Sequence, residues 1–178
     1  MKAPALFEHK ELCEVLGGDP KKLKDRIVTK SLLDLGVGGS SQIAMFTTLI
    51  FRITETGDSG ASTKLIGHTV SPSFIKTFAR RGKSLIHQVV DAKTKDGEEL
   101  RLKVIAVTGA NVSENTKRNL REAIQEETQK SITDKDFNDV IQDVIYGRVS
   151  SKLFSRLKQI TKMRRVEVNK SERGEVFK

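Results

Sequence analysis

The chain has 178 residues, with Lys+Arg 32 against Asp+Glu 23, a net charge of +9 and a pI near 9.7. That length bounds one domain, or one domain with an arm, and the positive excess favours an acidic partner, most often nucleic acid. A single cysteine, Cys13, excludes an intramolecular disulfide, no apolar run approaches a membrane span and no signal-peptide core opens the chain, so a soluble intracellular protein is expected.

Residues 1–24 read as an N-terminal arm, with Phe7, Leu12, Val15 and Leu16 as its anchors and Gly17-Gly18-Asp19-Pro20 as turn chemistry. Lys21, Lys22, Lys24 and Arg26 form a small basic run whose simplest reading is a solvated face. A first strand is predicted over 27–35 and a flexible glycine-rich loop over 36–41. That loop lacks the Gly-Lys-Ser/Thr ending of a phosphate-binding loop. A long strand follows over 43–54, then a turn at Gly57-Asp58-Ser59-Gly60 and a third strand over 61–68. Ser71 suits an N-cap and Pro72 the first position of a short helix. Phe74, Ile75 and Phe78 give that helix an apolar stripe, Lys76, Arg80 and Arg81 crowd its end, and Gly82 stops it. Two strands joined at Asp96-Gly97 come next, with Leu100, Leu102, Val104 and Ala106 at period two and Arg101 and Lys103 between them.

The second half is helical. Ser113 caps a helix bearing Leu120, Ala123 and Ile124, and Thr133 with Asp136 is read as a variant capping box for the next. Phe137, Val140, Ile141, Val144 and Ile145 mark an amphipathic helix that stops at Gly147. Ser150 or Ser151 opens a third, with Leu153, Phe154, Leu157 and Ile160 inward. Residues 164–170 alternate as a closing strand, and the tail 171–178 is expected to fray. The fold class is therefore α+β: an antiparallel, barrel-like sheet with one inserted short helix, then about three helices and a final strand. The domain spans 25–170, β-rich over 25–109, helical over 110–162 and closed by 163–170.

Charge is uneven. Residues 148–178 hold ten basic and three acidic residues, a net of +7, whereas 113–143 hold five basic and eight acidic, a net of −3. Each basic cluster alone fits helix capping or a solvated face. Two one-sided clusters in one small domain make phosphate binding the better account. Aromatics make up only 5%, with no Trp, so reading of single strands by base stacking is poorly supplied. No catalytic, cofactor or metal site is expected. Asp136, Asp139 and Asp143 fall on one helix face without the spacing of a calcium loop. His9, His68 and His87 have no second ligand nearby, and Cys13 no nucleophile signature.

The residues also carry a resemblance. Gly67-His68, Ser71, Ile75, Arg80-Arg81, Lys83-Ser84, Val90-Asp91, Thr94-Lys95-Asp96-Gly97, Leu100-Arg101 and Lys103 form one dense motif. Met163-Arg164-Arg165-Val166-Glu167-Val168 with Lys170-Ser171 forms a second, and Lys2-Ala3-Pro4, Phe7 and Asp19-Pro20 add to them. Over nearly its whole length the chain resembles the archaeal–eukaryotic small-subunit ribosomal protein family of the S-one-e (S-three-A-e) type, known in animals as the v-fos transformation effector homologue. The resemblance implies a structural protein of the subunit platform, near the messenger exit and the 3′ end of the small-subunit RNA. It implies ribosomal RNA and neighbouring ribosomal proteins as partners, a cytoplasmic, ribosomal location, and no cofactor, membrane or small-molecule substrate. The alternative is a free RNA-binding translation factor or regulator. Carried over, Lys76, Arg80, Arg81, Lys83, Arg101, Lys103, Arg164 and Arg165 are expected to face RNA. Lys152, Arg156, Lys158 and Lys162 join them on charge alone. The chain has a shorter basic N-terminal stretch than archaeal relatives usually carry, and loop 36–41 is rich in glycine. The missing eukaryotic C-terminal extension points to an archaeal-type protein.

Overall fold

The computed structural model describes residues 3–4, 7, 11–14, 23–36, 43–57 and 60–174. The turn at 17–20, Val15, Leu16, Lys21, Lys22, His9, loop positions 37–41, the tip 58–59 and the tail 175–178 lie outside the described residues. The fold class is α+β, and the described residues hold six strands. Contacts divide the chain into two compact units, Met1–Thr69 and Val70–Lys178.

The first unit contains β1 (Ile27–Ser31), β2 (Thr47–Gly57) and all but the last residue of β3 (Gly60–Val70), adjacent in that order. β1 and β2 pair antiparallel, Ile27 opposite Arg52 and Ser31 opposite Thr48. Leu49, Phe51 and Ile53 recur at period two along β2 and have 0% exposure, which is the alternation of a strand with one face in the core. Phe7 meets Phe51 edge-on, with centroids 5.7 Å apart, and Leu12 is also buried, so the two predicted anchors among the described residues are packed. Two strand limits differ from expectation. β1 ends at Ser31 because 32–36 form a turn that buries Leu32 and Leu35. A 3₁₀ turn, Ala44–Phe46, precedes β2. His68 is a packed histidine at 2% exposure.

In the second unit α1 (Pro72–Lys76) leads to β4 (Leu85–Lys93) and β5 (Glu99–Thr108). Three helices, α2 (Glu114–Thr133), α3 (Phe137–Ile145) and α4 (Arg148–Lys158), precede β6 (Met163–Arg173). The order is β6-β5-β4, with both pairings antiparallel. Gly97, at φ +77°, makes the β4–β5 turn, as Asp-Gly predicts. The strands stay open: among the described residues β1 and β4 each have a strand neighbour on one side only, so the barrel-like sheet does not close. Leu100, Leu102, Val104 and Ala106 point one way and are buried. Ile105 and Val107 point the other way and are buried too, because Phe74, Ile75 and Phe78 cover them. The inserted helix is therefore a lid over one end of β5.

The helices hold further differences. Ser113 caps α2 as predicted, accepting from the Thr116 amide at 3.3 Å. Thr133 caps nothing; it is the last residue of α2, and its hydroxyl donates to the Gln129 carbonyl at 2.9 Å. Asp136 occupies the N-cap of α3. Its amide partner comes from the hairpin: the Asp96 carboxylate accepts from the Phe137 N–H at 3.2 Å. α4 starts at Arg148 behind Gly147, whose φ of +72° suits glycine, and not at Ser150 or Ser151. Leu153 and Leu157 face inward, but Ile160 lies past the helix and is 37% exposed. The strand runs on through 171–173, which were expected to fray. Ser171 is buried, and Arg173 donates to Glu98 and lies 4.6 Å from the Phe137 ring centroid.

Candidate nucleic-acid interface

The α1 segment places the first basic cluster. The helix is a single turn and ends at Lys76, so Arg80 and Arg81 are not in its last turn as predicted. They sit in the irregular stretch beyond it, where Gly82 takes φ +72° in a turn. What fixes this stretch is packing. Phe74 and Phe78 meet edge-on at 5.0 Å and rest on Ile105, Val107 and Leu85.

β6 brings the second cluster to the same place. Arg165 is the cross-strand partner of Val107, and paired residues project to the same face. Its guanidinium therefore lies over Phe78 at 4.3 Å and over Phe74 at 5.1 Å from the ring centroids. Glu167, two residues on, accepts from Arg165 Nε at 3.2 Å. Burial raises the Glu167 carboxyl above its ordinary range even though Arg165 opposes the shift. Thr77, Phe78, Arg80, Val107, Arg164 and Arg165 line one cleft of about 180 Å³. Arg80 and Arg164 are exposed and have no ion pair among the described residues.

Lys83 and Lys162 meet around Gly109. Lys83 donates to the Gly109 carbonyl, and the Gly109 amide donates to the Lys162 carbonyl at 2.6 Å. A Cβ on Gly109 would lie 2.9 Å from Lys162 Cγ and 3.1 Å from its carbonyl oxygen, so only glycine allows this approach. Buried Ser84 and Thr108 lock the loop. The Ser84 hydroxyl donates to Asn111 at 2.7 Å and accepts from the Val112 amide at 3.2 Å, while the Ser84 amide donates to Thr108 Oγ1 at 2.9 Å.

The remaining predicted positions divide by partner. Lys76, Arg81, Lys152, Lys158 and Lys162 are exposed without an ion pair among the described residues. Arg156 is exposed and donates to Gln159 at 2.9 Å. Arg101 is committed: Nε and Nη2 reach the two oxygens of Asp91 at 2.6 and 3.0 Å, and this holds the Asp91 carboxyl below its usual range. Lys103 is 3.1 Å from Glu172, whose other oxygen takes Lys170; the two lysines depress its carboxyl.

The acidic helix face also differs from expectation. Asp143 is buried, not exposed, and pairs with Lys135 and with Arg148 at 3.1 Å. Burial alone would raise its carboxyl, but the two cations outweigh burial and hold it low. Asp136 is shifted upward by its hydrogen bond to, and repulsion from, Asp96. Among the described residues no three His, Cys, Asp or Glu side chains gather as a metal site. No helix there is long and apolar enough to cross a membrane. The stacking role of Phe74 and Phe78, the Ser84–Thr108 lock and the close approach at Gly109 are not evident from the apolar and polar pattern alone. The one available signal is that Arg165 and Glu167, two apart in a strand, share a face.

Fold and cleft define a basic α+β protein whose exposed arginines are presented by a packed aromatic frame. The model described as the Ribosomal S3Ae family matches residues 1–175. The small ribosomal subunit protein eS1 of Methanothermobacter thermautotrophicus is 29% identical over 171 residues, 96% of this chain and 86% of that protein. The protein of that name from Sulfolobus acidocaldarius is 33% identical over 171 residues, 95% of this chain and 85% of that protein. The one from Methanothrix thermoacetophila is 32% identical over 170 residues, covering 96% and 79%. The chain belongs to the Ribosomal S3Ae family.

Proposed function

We propose that this protein is a structural constituent of the small ribosomal subunit and binds ribosomal RNA on the platform near the messenger exit. It works in the cytoplasm as part of the ribosome, beside other ribosomal proteins, and performs no catalysis. Family membership and the names of its archaeal relatives support the ribosomal role. The observation that carries the RNA reading is the set of exposed cations without carboxylate partners among the described residues, Arg80 and Arg164 foremost, on the second unit. Cations left unpaired on a rigid frame are available to phosphate, and release of the counterions around RNA drives such association. Lys76, Arg81, Lys152, Arg156, Lys158 and Lys162 extend that surface. Lys83 fixes the loop beside it, and Arg101 and Lys103 contribute only if RNA displaces their carboxylates.

Cosedimentation with small subunits in a sucrose gradient tests the assignment. Stable comigration at moderate salt is the expected result. A protein that stays at the top of the gradient yet binds RNA would instead be a free translation factor.

A further inference from the structure

The cleft between α1 and β6 differs from the rest of the basic surface. Its cations come from two separated pieces of chain, so Arg80 and Arg164 border a shared space and not one run of solvent. Its floor is apolar, Phe78 and Val107, both buried. Arg165, its wall, is held by the two rings and by Glu167. Lys76 and Arg81 are not among the lining residues.

We infer that this cleft seats a single phosphate group between the guanidinium groups of Arg80 and Arg164, against the ring-backed guanidinium of Arg165. The inference rests on the reading of this face as an RNA surface, and it assigns the phosphate to a backbone phosphodiester. A base is the wrong occupant, because a base needs an open aromatic face and Arg165 already covers Phe78. A cleft of about 180 Å³ has room for one tetrahedral oxyanion with some water. The Thr77 hydroxyl donates to the Phe74 carbonyl at 2.7 Å, so the side-chain donors left for a guest are guanidinium N–H groups. Each guanidinium offers two parallel N–H bonds to an oxyanion edge, which an ammonium cannot copy. Glu167 balances one of the three arginines, and the remaining charge suits a phosphate.

The test uses the full chain and inorganic phosphate as the probe. Arginine Nε–H signals and the Thr77 amide are followed by NMR while sodium phosphate replaces sodium chloride at constant ionic strength. The same samples are assayed against a folded small-subunit RNA fragment. R80K and R164K keep the charge and lose the planar fork; R81A removes a neighbouring cation outside the cleft. Saturable shifts at Arg80, Arg164 and Arg165 are expected, with about fivefold weaker phosphate binding in each Lys variant; R81A should keep wild-type phosphate binding and lose only RNA affinity. Equal phosphate binding by R80K and wild type, or an equal loss of phosphate binding in R81A, would overturn the pincer in favour of diffuse charge. Phosphate seated in the cleft with RNA affinity untouched by R80K and R164K would uphold the pincer and sink the RNA reading. Salt-sensitive RNA binding with no phosphate seat would do the reverse.

Discussion

Arg164 and Arg165 are neighbours in sequence with opposite expected costs on removal. Arg165 is 33% exposed, stacked on two rings at 4.3 and 5.1 Å, and paired with Glu167, which is 17% exposed. Arg165→Ala loses cation–π contacts worth about 1 kcal/mol at a half-exposed site. It also leaves the Glu167 carboxylate partly buried without its cation, a further cost of about 1–2 kcal/mol. The sum is roughly 2–3 kcal/mol at pH 7. Arg164→Ala removes an exposed cation with no ion pair among the described residues and should cost under about 0.5 kcal/mol. The pH dependence separates the two parts. Glu167 titrates above its ordinary range in the folded state, because burial penalises its charge. Its contribution is therefore fully present below the ordinary glutamate pKa and is lost as pH rises through the raised folded value. Without Arg165 that folded value rises further, so the penalty of R165A grows with pH across this window. Below about pH 4 only the stacking loss should remain, about 1 kcal/mol. Urea unfolding of both variants at several pH values measures this. Equal costs for R164A and R165A at pH 7, or a pH-independent R165A penalty, would refute the division of roles.

Three further outcomes follow from the same geometry. Asp143→Asn should cost about 2 kcal/mol in thermal unfolding at pH 7, since two cations lose their shared buried anion. Because the Asp143 carboxyl is depressed in the folded state, that difference should vanish as pH falls through its folded value. Gly109→Ala should destabilise by about 1–3 kcal/mol, because the Lys162 carbonyl it would crowd is held by the Gly109 amide itself. The double variant R80A/R164A should lower the slope of log affinity against log salt by about 0.8, at roughly 0.7–0.9 for the single phosphate the two share. Fluorescence anisotropy across a salt series with folded RNA reads that slope, and its melting temperature should stay near wild type.

Much of the fold was legible because the signals were local. Asp96-Gly97 dictated its turn, Ser113 its cap, and Phe137 to Val144 their helix, since each depends on neighbours within a few residues. What could not be read depends on distant partners. Thr133 and Asp136 look like a capping box, but the amide at the start of α3 is capped by Asp96 from the hairpin, 41 residues away in sequence. Asp143 shares a helical face with exposed aspartates and is nonetheless buried, because Lys135 and Arg148 close over it. Arg80 and Arg164 were legible as cations, and their common cleft follows from β6 lying beside β5, a pairing that no local pattern announces. Arg101 looked identical to them in sequence. Only the register that sets Asp91 across from it reveals that its donors are already used.

The central claim is that this surface meets ribosomal RNA within the small subunit. Ultraviolet crosslinking of intact small subunits, followed by mass spectrometry of the RNA-linked peptides, tests it most directly. The expected crosslinks fall in the peptides that contain Arg80 and Arg164, with α4 as a secondary site. RNA-linked peptides confined to other parts of the chain, or none from subunits that contain the protein, would contradict the account.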